Sequence, residues 1–86
     1  MTFLPDGSFM TVSTERVIHF SEDGKYLSEF GTRGRGPGQL NGAHDLFYDK
    51  EGGRIYVADR NNHRIQIFDK EGNYIDHWPN IVAPAV

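Results

Sequence analysis

The chain has 86 residues, a formal net charge of -3 and no cysteine. Without cysteine, disulfides and thiolate metal sites are excluded, and the redox compartment stays open. Acidic and basic residues are interspersed, which argues against a nucleic-acid partner because phosphate binding needs a positive face. No apolar run approaches the roughly 20 residues of a membrane span, and the first residues lack a signal-peptide pattern. We therefore expect no membrane partner, and a protein that is cytoplasmic as given or trimmed of a leader.

Short apolar segments between glycine-containing turns predict an all-β protein. The strands expected in the first part of the chain are residues 1–4, 8–13, 16–20 and 25–30. Pro5, Asp6 and Gly7 have the composition of a tight turn, because proline presets one φ angle and glycine permits a positive one. The next segment, residues 31–38 (GTRGRGPG), is interpreted as a connector between two sheets. A phosphate-binding loop is the alternative, but it lacks the Lys-Ser/Thr ending and the following helix.

The second part of the chain contains the strongest strand pattern. Two apolar runs rich in branched and aromatic residues flank the polar residues 59–63, so residues 55–68 predict two antiparallel strands and their connection. The strands expected in this part are residues 44–48, 54–58, 64–68 and 73–78. Residues 79–86 have the pattern of an approach to a further strand, which residues 1–4 could supply.

The two parts of the chain are copies of one unit. The aligned pairs are residues 16–20 (RVIHF) with 64–68 (RIQIF), 24–27 (GKYL) with 72–75 (GNYI), and Phe30 with Trp78. A repeat of this length built from four short strands predicts β-propeller blades. We expect a first blade at about residues 1–33 and a second at residues 34–80. Residues 81–86 would then lead into the inner strand of the next chain.

Three segments resemble a known family: residues 36–40 (GPGQL), 43–46 (AHDL) and 57–69 (VADRNNHRIQIFD). They are similar to NHL-repeat β-propellers, in particular to the branch around the peptidylglycine amidating lyase. The resemblance implies a six-bladed propeller, of which this chain holds two blades. It is specific for the fold and says little about function.

Two isolated blades would leave aromatic and branched side chains in water, and such patches are normally interaction sites. A contact between the end of one chain and the beginning of another is heterologous, so it closes into a ring or continues as a fibre. We expect a homotrimer, a head-to-tail ring of six blades of natural or engineered origin. The alternatives are a monomer and a protein-interaction segment of a larger NHL protein. Exchange of residues 1–4 between subunits is left open, although the position of residues 81–86 favours it.

His44 is the candidate metal ligand. In the amidating lyases, a histidine in a Pro-His-x-Leu context helps to hold a zinc ion on the propeller axis, and the resemblance implies this role for His44. Ala43 stands here in place of the proline. A trimer would bring three imidazoles to the symmetry axis, an open set that suits zinc or another divalent transition metal. The alternative is a polar residue at the channel mouth that hydrogen-bonds to water or backbone.

Catalysis is not expected. The lyase resemblance implies a catalytic tyrosine in an Asp-Gly-Tyr-x-Asn-Ser-Arg connection, but residues 13–16 (STER) stand there and only Arg16 aligns. Without a phenol to accept a proton, a zinc site would lack its base. We assign no catalytic residue and favour a structural or binding scaffold, with a zinc-dependent lyase-like enzyme as the alternative.

Asp59 and Arg60 are further binding candidates. The guanidinium of Arg60 could bind a carboxylate through two parallel hydrogen bonds. The structural alternative is that Asp59 caps backbone amides of the turn while Arg60 pairs with a neighbour. The other histidines, His19, His63 and His77, are expected to be solvated or partly packed.

Overall fold

The computed structural model describes residues 1–79, so the predicted lead-in at residues 81–86 lies outside the described residues. The strands are β1 (Thr2–Phe3), β2 (Phe9–Ser13), β3 (Arg16–Phe20), β4 (Tyr26–Phe30), β5 (Thr32–Arg33), β6 (Gln39–Leu40), β7 (Ala43–Asp49), β8 (Arg54–Asp59), β9 (Arg64–Asp69) and β10 (Tyr74–Trp78). A short 3-10 helix spans Arg60–Asn62. No helix in the described part of the chain is long and apolar enough to cross a bilayer.

Two four-stranded antiparallel sheets form most of the molecule, with the strand orders β1-β2-β3-β4 and β10-β9-β8-β7. We refer to them as the first blade and the second blade. The prediction of an all-β protein is confirmed. Each sheet has four antiparallel strands in sequence order, which is the architecture of a propeller blade. The predicted hairpin at residues 55–68 is the β8–β9 pair, in which Ile55 pairs with Phe68 and Asp59 with Arg64.

The two blades also share a backbone irregularity in their fourth strands. In the first blade the β3–β4 register skips Leu27, and in the second blade the β9–β10 register skips Ile75. The two residues occupy the same position in the aligned sequences, so both fourth strands contain an equivalent β-bulge. A bulge increases the local twist of a strand. Both outer strands are therefore distorted at the same place, as expected of two copies of one unit.

The connector contains a structural feature that its composition did not predict. Thr32 and Arg33 of β5 pair with Gln39 and Leu40 of β6 in a parallel two-stranded ladder. The first strand also has a partner within its own chain, since β1 pairs with β2 through Thr2 with Met10. A single chain thus completes its first blade without exchange of β1.

The two blades pack face to face in what we call the closed seam. The first blade contributes the side chains of Thr2, Met10, Val12, Val17 and Phe30, and the second blade contributes those of Tyr48, Ile55, Val57 and Phe68. The rings of Phe30 and Phe68 lie 4.8 Å apart between centroids at an interplanar angle of 48°. Phe30 also covers the Gly72 turn, where a Cβ would lie 2.8 Å from its Cδ1 atom. The hydrophobic core thus lies between the two sheets, because a single sheet must pack its apolar face against a second layer to bury it.

Hydrogen bonds reinforce the closed seam at both ends. The amide of Ala43 donates to the carbonyl of Thr14 at 2.8 Å, and the amide of Tyr48 donates to the Oγ1 atom of Thr2 at 3.0 Å. These bonds satisfy amides of β7 that its own sheet leaves unpaired, since β7 is an edge strand. The relative position of the blades is therefore set by polar as well as apolar contacts.

The β9–β10 turn depends on the carboxylate of Asp69. Its Oδ1 atom accepts hydrogen bonds from the amides of Glu71 and Asn73, at 3.0 and 2.9 Å, and its Oδ2 atom accepts from Nδ2 of Asn73. The backbone hydrogen bond from Asn73 contributes most to lowering the pKa of Asp69 below its ordinary value of 3.8. The folded state thus favours the charged carboxylate.

We expect Asp69→Asn to reduce the acid sensitivity of the fold. A depressed folded-state pKa contributes stability above the ordinary pKa, and this contribution is lost as the pH falls through the folded-state value. The free energy of unfolding, measured with urea between about pH 6 and pH 2, should therefore fall less steeply in the variant. Glu51→Gln, on a different turn, controls for the loss of one negative charge. Equal slopes in the wild type and Asp69→Asn would contradict this role.

Candidate functional site

The residues predicted to bind ligands lie at one end of the second blade. Ala43 at the start of β7 pairs with Asp59 at the end of β8. The amide of Asn61, in the 3-10 helix, donates to the carbonyl of Asn41 at 3.0 Å. The structure thus places His44, Asp59 and Arg60 on the same rim of the blade, where the connector between the blades also lies.

Asp59 is the structural centre of this rim. Its side chain is 0% exposed, and its Oδ1 atom accepts from the amide of Asn41 at 2.8 Å. Its Oδ2 atom accepts from Nδ2 of Asn62 at 2.9 Å, Nε of Arg64 at 2.8 Å and Nε2 of Gln66 at 3.0 Å. The carboxylate is buried and already accepts four hydrogen bonds within the protein, so it is not accessible to a ligand. Asp59 therefore has a structural role, but its side chain accepts from the connector amide of Asn41 and from no backbone amide of the 3-10 turn, so the predicted cap of that turn is not found.

The same network fixes the glycine-rich connector. The Arg64 guanidinium donates to the carbonyls of Gly36 and Gln39, at 2.9 and 2.8 Å. Gln66 donates to the Gln39 carbonyl at 2.6 Å and accepts from the amide of Gly38 at 2.9 Å. The amide of Gly36 donates to the Gln39 side chain. Two of the amides that a phosphate cradle would use are therefore engaged within the protein, which favours the connector interpretation.

Arg60 has a different environment from Asp59. It is exposed at the start of the 3-10 helix, and its side chain makes no hydrogen bond or ion pair within residues 1–79. The expected pairing with a neighbour is therefore not found. A solvated guanidinium keeps all five N–H donors for a ligand. Arg60 is the one of the two binding candidates that is positioned to reach a partner.

His44 is exposed at a break in the β7–β8 register between Ala43 and Asp45. A bulge at this point re-aims the side chain, and β7 is the edge strand of its sheet. Within residues 1–79, no group of three His, Cys, Asp or Glu side chains could hold a metal ion. A metal at His44 would therefore need donors from other chains.

The remaining histidines have structural surroundings. The Nε2 atom of His19 lies 2.8 Å from Oγ of Ser8, and the Nδ1 atom of His77 lies 2.5 Å from the Tyr74 hydroxyl. His63 ends the 3-10 helix in the left-handed conformation, with φ of 54°. None of the three has the position of His44 at the start of an edge strand.

A further candidate site is a pair of uncovered sheet faces. The entry face of the first blade consists of Phe3, Phe9, Thr11, Ile18 and Phe20, with the rings of Phe9 and Phe20 stacked at 5.4 Å. The exit face of the second blade consists of Phe47, Tyr56, Ala58, Ile65 and Trp78, which line a cavity of about 420 Å³. Phe3 is 66% exposed, Phe47 58% and Trp78 52%. Large apolar side chains grouped in this way mark interaction surfaces.

The strand registers relate these faces to the closed seam. Met10 pairs with Thr2 in the first blade as Tyr56 pairs with Phe47 in the second. In the same way, Phe30 pairs with Val17 as Trp78 pairs with Ile65. The exit face therefore uses the strand positions by which the first blade contacts the second. By the same registers, the entry face uses the positions by which the second blade contacts the first.

The chain is a repeat protein of the propeller-blade class, as shown by its two four-stranded sheets, the equivalent bulges in both and the buried Asp59 network. The family model described as "NHL repeat" matches residues 40–68. The chain therefore contains an NHL repeat, and its predicted resemblance to NHL-repeat proteins is confirmed. The match includes β8, most of β9, and Asp59 with its four hydrogen-bond donors Asn41, Asn62, Arg64 and Gln66.

Known relatives agree with this assignment. Human NHL repeat-containing protein 3 is 42% identical over 66 residues, which are 76% of this chain and 19% of that protein. The lin-41 protein of Caenorhabditis elegans is 50% identical over 46 residues, which are 54% of this chain and 4% of that protein. Peptidyl-glycine alpha-amidating monooxygenase A of Xenopus laevis is 33% identical over 78 residues, 85% of this chain and 8% of that protein. The chain thus spans about a fifth or less of the length of these relatives.

Proposed function

We propose that this chain is a two-blade unit of an NHL propeller that acts as a binding scaffold, and that identical copies complete the propeller as a homotrimer. The observation that carries the proposal is the correspondence between the open faces and the closed seam. The exit face of one copy meets the entry face of the next in the geometry that the two blades of one chain already use. Because the two faces differ, the contact is heterologous, and three two-blade copies close it into a ring when the propeller has six blades.

Burial of apolar surface supplies the driving force. Phe3, Phe47 and Trp78 are each more than half exposed in a single chain, and apolar surface removed from water contributes about 25 cal/mol per Å². Three copies would form three new seams and leave no face uncovered. The rim that bears Arg60 stays outside these seams and is the surface offered to a binding partner.

We expect single-face variants to complement each other in a mixture. Phe3→Asp places a charge on the entry face and Trp78→Asp places one on the exit face, so each variant alone should be a monomer. An equimolar mixture keeps one intact face on each chain and should form a two-chain species. Native mass spectrometry distinguishes these outcomes, and circular dichroism confirms that each variant folds. If the mixture stays monomeric while the wild type assembles, the contact is not heterologous.

The second candidate function is metal binding at His44, which its exposed position at the β7 bulge favours. In a trimer, three imidazoles, one from each chain, would hold zinc or another divalent transition metal and leave a coordination position open. We expect one zinc ion per three chains after loading and extensive dialysis, and none in His44→Ala. His63→Asn is the matched control, since asparagine tolerates the left-handed conformation of residue 63. Equal zinc in His44→Ala and the wild type would overturn this proposal.

A further inference from the structure

The closed seam contains an aromatic contact whose counterpart in the open faces is incomplete. Phe30, at the end of β4, lies against Phe68 and over the Gly72 turn. In the repeat alignment, the equivalent residues are Trp78, Phe20 and Gly24. Trp78 belongs to the exit face of the second blade, whereas Phe20 and the Gly24 turn belong to the first blade, on the side of the entry face.

The two glycine turns have the same backbone and different surroundings. Gly72 has a φ angle of 92° and Gly24 one of 86°. A Cβ at Gly72 would lie within 3.0 Å of three atoms of Phe30, whereas a Cβ at Gly24 would have no atom within 4 Å. The Gly24 turn therefore has the shape that receives an aromatic ring, and no ring among residues 1–79 covers it.

Trp78 provides a ring at the equivalent position of the exit face. It is half exposed, and its ring contacts that of Tyr56 at 5.5 Å between centroids and an interplanar angle of 45°. Phe20 of the entry face is stacked on Phe9, with ring centroids 5.4 Å apart. Both halves of the contact are thus already ordered within the chain, so little conformational entropy is lost when they meet.

We infer that the Trp78 indole of one copy lies over the Gly24 turn and against the Phe20 ring of the next copy. This inference rests on the proposed assembly and names the contact that holds its seam. Trp78 is the anchor of the contact, because a large aromatic side chain in a well-packed, water-free pocket contributes most to the stability of an interface. The contact would lie at the position that Phe30, Phe68 and Gly72 occupy in the closed seam, between the last strand of one copy and the β3–β4 turn of the next.

The fluorescence of Trp78 tests the inference on the unmodified chain, because it is the single tryptophan. Emission and acrylamide quenching are measured across a dilution series, with the molar mass followed in the same samples. The expected result is a blue-shifted, quencher-protected indole in the assembled state and an exposed indole after dissociation. Assembly with an indole that stays fully accessible to acrylamide would overturn the contact but leave the proposed function standing. A chain that stays monomeric at every concentration would overturn both.

A variant pair measures the strength of the contact. Phe20→Ala removes the ring that receives Trp78 and should weaken the association on the order of 30-fold, the range of an interface hot spot. Leu27→Ala is the matched control, because Leu27 is a half-exposed apolar residue whose equivalent Ile75 stays exposed beside the closed seam. The association constant of this control should be unchanged. Equal association constants for Phe20→Ala and the wild type would contradict the assignment, and the fluorescence result stands independently if Phe20→Ala fails to fold.

Discussion

Asp59→Ala is expected to lower the free energy of unfolding by about 3–5 kcal/mol, the range for breaking a buried ion pair by removal of one partner. The Arg64 side chain is only 11% exposed, so its charge would lose its main partner without regaining water. The buried amide of Gln66 would also lose an acceptor, and the connector amide at Asn41 another. Because domains are stable by only about 5–15 kcal/mol, a loss of this size removes a large part of the free energy of unfolding.

The measurement is urea denaturation followed by circular dichroism, with two comparisons. Asp59→Asn keeps an oxygen acceptor for Asn41 and should lie between the wild type and Asp59→Ala. Arg16→Ala breaks the exposed ion pair between Arg16 and Glu29, in which the side chains are 48% and 35% exposed, and should cost at most about 1 kcal/mol. An Asp59→Ala chain within 1 kcal/mol of the wild type would show that the network does not hold the connector.

Phe68→Ala is expected to have an effect of similar size, about 3–5 kcal/mol, because it leaves a cavity in the closed seam. The Phe68 side chain is 1% exposed and contacts both Phe30 and Tyr74. Removal of the ring would weaken the packing between the blades as well as the core of the second blade. The expected consequence is a loss of cooperativity between the two sheets together with the loss of stability.

Comparing the destabilisation caused by Phe20→Ala with that caused by Phe68→Ala distinguishes a single chain from an assembled one. Phe20 is the repeat equivalent of Phe68, but in a single chain its outer side is uncovered. Thermal unfolding at low protein concentration should therefore affect Phe20→Ala much less than Phe68→Ala. At concentrations at which three copies assemble, the two variants should become similarly destabilised. If Phe68→Ala unfolds like the wild type, the closed seam does not contribute to the fold.

Much of the fold could be predicted from the sequence because its signals are local. Two apolar runs on either side of the polar residues 59–63 predicted the β8–β9 hairpin, and Gly24 and Gly72 marked turns that have a positive φ angle. The alignment of Arg16 with Arg64 predicted the repeat, and the bulges that the structure shows at Leu27 and Ile75 occupy equivalent positions in it. Such signals depend on neighbours in the chain, which a sequence displays directly.

The Asp59 network could not be predicted in the same way. Its partners include Asn41 and the carbonyl of Gln39, which come from a connector far from Asp59 in the sequence. Gln66 was the available signal, since a polar residue between Ile65 and Ile67 on a buried strand needs a partner. The parallel β5–β6 pair also escaped prediction because two residues are too few to show a period. The contact between copies depends on surfaces that no local pattern describes.

The molar mass of the unmodified chain in solution, measured by light scattering over a range of concentrations, tests the central claim most directly. The trimeric ring predicts a species of about 29 kDa, three times the 9.8 kDa of one chain, with no larger species at higher concentration. A compact species of 9.8 kDa at every concentration would contradict the account, because the entry and exit faces would then not recognise each other.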